Sequence, residues 1–291
     1  MESSRMLRGG LCAGVMVAAG FLLLSAGSPK PVRPPQTALG SHPPIRIHQQ
    51  HERGVLDSSN WAGYGVTGAN GSVTDVTASW TVPAVKCPAA PTGYAAFWVG
   101  IDGFSSSTVE QIGTDSDCVS VNGRQTDTPT YYAWYEFYPQ GSYLVEFPHA
   151  VQPGDFITAQ VKFIGQTSNP RHGGAADQFT ATITDVTQQN ETFSVTSSVT
   201  GAGMSSAEWI AEAPCCGKGN LVLPLSDFGY ASFSSAGATL SKTAAAINAS
   251  TPNLQTITMV GEKSSTLIKA QPSIPLGSNG SFGVTWLNAG P

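Results

Sequence analysis

The chain has 291 residues, of which 41% are hydrophobic and only 11% charged, and its formal net charge is −5. With no basic stripe, this acidic balance argues against a nucleic-acid surface, which works by neutralising phosphates. From residue 57 to 291 there are 8 basic and 17 acidic residues, a formal charge of −9, so the basic excess lies in the leader. A body with few lysines and many hydroxyl and amide side chains changes charge modestly on acidification, which suits an acidic medium.

The first predicted element is a secretory signal peptide over residues 1–27: Arg5 and Arg8, an apolar run from 11 to 24, then Ser25, Ala26 and Gly27. Its apolar core is shorter than the about 20 residues a membrane span needs. The mature protein is therefore expected to be secreted, extracellular and free of the membrane. Residues 28–56 are proline-rich and carry Lys30, Arg33, Arg46, Arg53, His42, His48 and His51. They read as a linker or a propeptide and are not expected to form a packed element.

Residues 57–291 are predicted to be a single domain. Period-two alternation recurs at 72–82, 131–138, 155–164, 178–187, 191–200, 256–260 and 281–287, separated by turn residues such as Pro153-Gly154-Asp155 and Asn279-Gly280. Only the alanine run at 244–246 hints at helix. The fold class is therefore all-β, with antiparallel sheets packed as a sandwich or barrel.

Cys12 falls in the signal peptide, which leaves Cys87, Cys118, Cys215 and Cys216. Export permits disulfides. Cys87 with Cys118 is the preferred pair among three pairings; Cys215 and Cys216 could bridge each other, bridge elsewhere or stay free. No histidine stands at zinc-ligand spacing from them, so no metal or cofactor is expected.

Outside the leader the only histidines are His149 and His172, and neither a GxSxG elbow nor an HExxH motif occurs. Carboxylate chemistry remains. Acids are embedded in aromatic or apolar runs at 97–103 (FWVGIDG), 131–139 (YYAWYEFYP) and 206–214 (SAEWIAEAP). On a strand Tyr132, Trp134, Glu136 and Tyr138 share one face, as do Glu208, Ile210 and Glu212. The plain alternative is that these are ordinary carboxylates on a solvated sheet face.

Five segments, SSNWAGY at 58–64, FWVGIDG at 97–103, VEQIGTD at 109–115, YYAWYEFYP at 131–139 and AEWIAE at 207–212, resemble in order and spacing the glutamic peptidases, or eqolisins. The resemblance implies a sandwich of two antiparallel sheets, similar to the concanavalin-like lectins, and an acid endopeptidase acting without a covalent intermediate on polypeptide substrates. It implies Gln111 and Glu208 as the catalytic pair. Glu208 would take a proton from the attacking water, as a carboxylate of pKa about 4–5 can, and Gln111 would stabilise the oxyanion.

By the same resemblance Trp98, Asp102 and Asp115 support the pair, and Tyr132, Trp134 and Glu136 line the substrate cleft. Asp102 and Asp115 could instead simply cap turns, and Trp98 could be core. Glu110 should point to the opposite face and serve solubility. Glu212 is the residue most easily confused with Glu208, and Glu136 is the next alternative base. The protein is expected to be a monomer. The rival reading is a secreted lectin-like carbohydrate-binding module, which uses the same kind of aromatic and acidic face.

Overall fold

The computed structural model describes residues 40–51, 54–87, 92–121, 124–125, 128–169, 174–215, 221–273 and 279–290. The expected signal peptide and the first part of the leader lie outside these residues, as does Cys216. Nineteen strands and no helix occur among the described residues. In chain order they begin with β1 (Ile47–Gln50), β2 (Val55–Ser58), β3 (Trp61–Thr67), β4 (Val73–Thr81), β5 (Ala96–Ile101) and β6 (Val109–Asp117). There follow β7 (Ser120–Val121), β8 (Arg124–Gln125), β9 (Thr130–Tyr138), β10 (Tyr143–Leu144), β11 (Phe156–Asn169), β12 (Gly174–Asp185) and β13 (Glu191–Val199). The last are β14 (Ser206–Glu212), β15 (Tyr230–Leu240), β16 (Thr243–Ala246), β17 (Leu254–Gly261), β18 (Ser264–Pro272) and β19 (Phe282–Trp286).

Two antiparallel sheets form the sandwich. One runs β10-β9-β6-β5-β14-β3-β17, and the other β13-β12-β11-β4-β15-β19. β18 pairs with both β17 and β19 and so joins the sheets at one edge. The pairing of β17 with β2 is parallel. The alanine run departs from the helical hint: it forms β16, whose backbone pairs with residues 237–240 of β15. Tertiary pairing here overrides alanine's intrinsic helix preference.

Alternation along each strand sends one set of side chains between the sheets. Trp80, Phe97, Val99, Ile112, Phe179 and Trp209 are buried in this main core, and each apolar side chain so buried contributes about 1.5–3 kcal/mol. The indole N–H groups of this set are satisfied, Trp80 by the Thr114 hydroxyl at 2.9 Å and Trp209 by the Thr77 carbonyl at 2.8 Å. The opposite face of the first sheet holds a second apolar cluster that includes Trp61, Trp98, Trp134 and Ile210. A disulfide joins Cys87 and Cys118, as the preferred pairing had it, and Cys215 is also disulfide-bonded.

The leader departs most from expectation. Residues 40–51 are ordered against the first sheet: β1 pairs with β2, and His42 is fully buried. A proline-rich segment has no fold of its own, but here its backbone groups find partners on the domain.

Candidate active site

Strand register explains how the acids meet. In β14, β5, β6 and β9 the paired residues form rows across one face, because directly opposed residues of an antiparallel pair point the same way. One row runs Glu208, Gly100, Gln111, Glu136; the next runs Ile210, Trp98, Gly113, Trp134; the third runs Glu212, Ala96, Asp115, Tyr132. Glycine is required in the middle row, since a Cβ on Gly113 would lie 2.5 Å from the Trp98 Cβ. Gly100 likewise clears space, because its Cβ would come within 2.9 Å of the Trp98 ring.

His42 sits at the centre of this face. Its ring stacks on Trp134 with centroids 3.5 Å apart and planes inclined by 5°. Its backbone N–H donates to Glu136 Oε2 at 2.8 Å, and its carbonyl accepts from Gln111 Nε2 at 2.5 Å. The second proton of Gln111 Nε2 goes to Glu136 Oε2 at 3.2 Å. On the other side His42 Nδ1 lies 3.1 Å from Glu212 Oε2.

Glu212 is held from behind by two indoles: Trp98 Nε1 donates to Oε2 at 2.8 Å and Trp61 Nε1 to Oε1 at 3.3 Å. Burial dominates the proton affinities. It pushes Glu212 well above the carboxylate range, with the Trp98 N–H opposing it and the charges of Glu136 and Asp115 adding to it. Burial also raises Glu136 to about 7, against the stabilising bonds from the His42 N–H and Ser41 hydroxyl, and it lowers His42 well below 6.5.

Asp115 braces the same face through two aromatic side chains. Its Oδ1 accepts from Trp134 Nε1 at 2.7 Å, and its Oδ2 meets the Tyr132 hydroxyl at 2.8 Å. The same hydroxyl lies 2.9 Å from Asp117 Oδ2. A phenol has one proton to give, so the second contact requires a protonated carboxyl. The directions agree: burial first, and for Asp115 also the Asp117 charge, raise Asp115 well above the carboxylate range and Asp117 to about 7.

The predicted residues separate accordingly. Gln111, Trp98, Trp134, Tyr132, Glu136 and Asp115 come together around His42. Asp102 does not orient Gln111. At φ 72° its carboxylate accepts from the Met204 N–H at 2.7 Å and from the Ser205 N–H and hydroxyl at 2.9 and 3.1 Å, so it caps the turn that leads into β14.

Glu208 faces the same side as Gln111 and shares its row, yet no hydrogen bond links either of its oxygens to a described residue. Burial raises it well above the carboxylate range, and the charges of Asp102 and Glu110 add to this. Glu110 does point to the opposite face, but it is fully buried and so does not serve solubility. Burial raises its proton affinity too. Sequence reasoning missed the parts played by His42, Trp61 and Asp117. The tryptophan in SSNWAGY and the acid two residues after Asp115 on the same face were the available signals; His42 had none.

No group of three or more His, Cys, Asp or Glu side chains among the described residues is arranged to hold a metal ion. A cavity of about 580 Å³ bordered by Val66, Leu240, Ile247 and Pro252 contains none of the residues of this face.

Comparison with known proteins agrees with the fold and the motifs. A model of the Peptidase A4 family matches residues 59–275. The fold is similar to that of scytalido-glutamic peptidase bound to a transition-state-analogue inhibitor, at 22% identity and a TM-score of 0.60, covering 79% of this chain and 98% of that one. It is also similar to SCP-B, a member of the eqolisin family in complex with the tripeptide Ala-Ile-His, at 20% identity, a TM-score of 0.56 and coverage of 79% and 98%. None of the curated proteins compared with the chain matches it.

Proposed function

Since the chain belongs to the Peptidase A4 family, the glutamic peptidases that hydrolyse peptide bonds, we propose that it is a secreted endopeptidase working in acid with Gln111 and Glu212 as its reacting pair. One observation carries the choice of residues: Gln111 and Glu212 hold opposite sides of one residue in an extended peptide segment, His42. A substrate lying along the same path would have its carbonyl oxygen on Gln111 Nε2. A water in the place of the imidazole Nδ1 would lie within hydrogen-bond reach of Glu212 Oε2.

The steps follow from these contacts. Glu212 takes a proton from the water as the water oxygen bonds to the carbonyl carbon, and the π pair moves to the carbonyl oxygen. Gln111, a neutral donor at any pH, stabilises that oxyanion by about 3–4 kcal/mol. Glu136 accepts the other amide proton and so fixes which way the amide faces. Glu212 then passes its proton to the leaving amine as the C–N bond breaks. A base must first be ionised, so entry of water into the cleft, which lowers the burial penalty on Glu212, belongs to activation. An acidic setting agrees with the low charge density of the body.

Glu208 is the second reading, favoured by its place in the row of Gln111 with only Gly100 between them. The two variants Glu212→Gln and Glu208→Gln separate the readings when fragments of denatured casein are measured at acid pH. With Glu212 as base, the first variant loses about 10²–10⁴-fold in rate and the second keeps most of it. The reverse order would assign the base to Glu208. A lectin-like role has no support from the family or the structural relatives.

A further inference from the structure

The segment in the cleft is the chain's own leader, and its contacts are those of a bound peptide. Ser41 exchanges both backbone bonds with Cys215, at 2.6 and 2.9 Å. The Ile45 N–H donates to the Gly103 carbonyl at 3.0 Å, and the Arg46 N–H donates to Asn60 Oδ1 at 2.8 Å. Between these anchors lies His42 with its carbonyl on Gln111 and its N–H on Glu136. Main-chain bonds of this kind bind extended peptides without demanding a particular sequence.

We propose that residues 41–46 occupy the cleft as a substrate does and hold it shut, with the His42 carbonyl in the oxyanion site and the imidazole in the place of the attacking water. The inference rests on the assignment of Gln111 and Glu212 to catalysis. Two features keep the segment from being cut. The ring is fully buried, stacked on Trp134 and in contact with Glu212, so no water fits at the base. Pro43 follows, so the bond after the held carbonyl leads to a ring nitrogen that carries no N–H and a φ locked near −65°.

The side chain at position 42 is thus what turns a peptide into a plug. His42 Nε2 is buried without a hydrogen-bond partner among the described residues, so the fit is specific on the Nδ1 side alone.

The test uses the full chain, its His42→Ala variant and a synthetic peptide of residues 40–50, with hydrolysis of a short fluorogenic peptide as the readout. The variant should show an initial rate at least about tenfold above the parent, because a segment without the ring stacked on Trp134 and seated at Glu212 yields the cleft to substrate more readily. The 40–50 peptide should inhibit the variant competitively, and the same peptide with alanine in place of histidine should inhibit at least about tenfold more weakly. His42→Asn, which keeps a polar group in the buried position, provides the same comparison if the alanine variant does not fold. Equal and measurable rates for parent and variants, with no inhibition by the peptide, overturn the inference and leave the peptidase assignment standing. No hydrolysis by any form, while the 40–50 peptide still binds the variant in calorimetry, overturns the catalytic assignment and the inhibition with it.

Discussion

The two outward faces of the sandwich are built by the same period-two rule and differ in what they do with polar side chains. On the second sheet, β12 and β13 carry a ladder of hydroxyl pairs, Thr180 with Thr196, Thr182 with Ser194 and Thr184 with Thr192, at 2.8–2.9 Å and open to water. On the cleft face of the first sheet the polar groups are, Gln111 apart, mainly carboxylates, and Glu136, Glu212, Asp115 and Asp117 are all fully buried. A hydroxyl pair in water costs little and gains little. A buried carboxylate is costly unless it is protonated or given donors, and this face supplies those donors from Trp61, Trp98, Trp134, Tyr132 and Gln111. The difference shows where the molecule has spent stability for chemistry.

The largest expected effect comes from the amide on the cleft face. Gln111→Ala should reduce kcat by about a hundredfold or more, since the oxyanion loses its donor, while far-UV circular dichroism stays that of the parent. A variant as fast as the parent would remove Gln111 from the mechanism. Next comes Trp98→Phe, which keeps the Cβ against Gly113 and an aromatic ring on the same face but takes one N–H from Glu212. Loss of a hydrogen bond to a charged group is worth about 1.5–3 kcal/mol, so a drop of roughly tenfold to a hundredfold in kcat/KM is expected. An unchanged pH–rate profile alongside an unchanged rate would mean that the indole does not tune the base.

The buried acids also give the whole domain a pH dependence. Glu136 and Asp117 have folded values of about 7, above the about 4 of an unfolded chain. The folded state therefore holds its protons longer. The stability they contribute is fully present below about pH 4 and is lost as pH rises through about 7. Tm should fall between pH 4 and pH 8, and Asp117→Asn, which keeps an acceptor for Tyr132 but cannot ionise, should make that fall shallower. A flat Tm across this range in the parent would contradict the assignment.

Much of this architecture is legible in the order of residues alone. The run at 131–138 is aromatic except at Ala133 and Glu136, a composition that suits a strand, and it forms β9 with Trp134 and Glu136 on the cleft face. The choice between Glu208 and Glu212 is not legible in the same way. Both lie on one face of one strand, so periodicity treats them alike. What separates them is the arrival of Trp61 from β3 and Trp98 from β5 at Glu212, while Glu208 lies between two glycines, Gly65 and Gly100. The leader is illegible for a related reason: its order comes from Gln111, Glu136, Asn60, Gly103 and Cys215, nearly all distant in sequence, and a proline-rich stretch has no periodic signal to announce such partners.

The smallest effect belongs to the hydroxyl ladder, and it tests the comparison from the other side. Thr182→Val removes one hydroxyl and leaves Ser194 free to bond water, at a site where the surrounding polar groups are exposed. The lost hydrogen bond is exchanged for one to solvent, and valine suits a strand as well as threonine does. Stability should therefore change by no more than about 0.5 kcal/mol, with catalysis untouched. A change in denaturation midpoint several times larger would mean that the ladder locks β13 to β12 cooperatively. The outer face would then contribute to the fold what the cleft face takes from it.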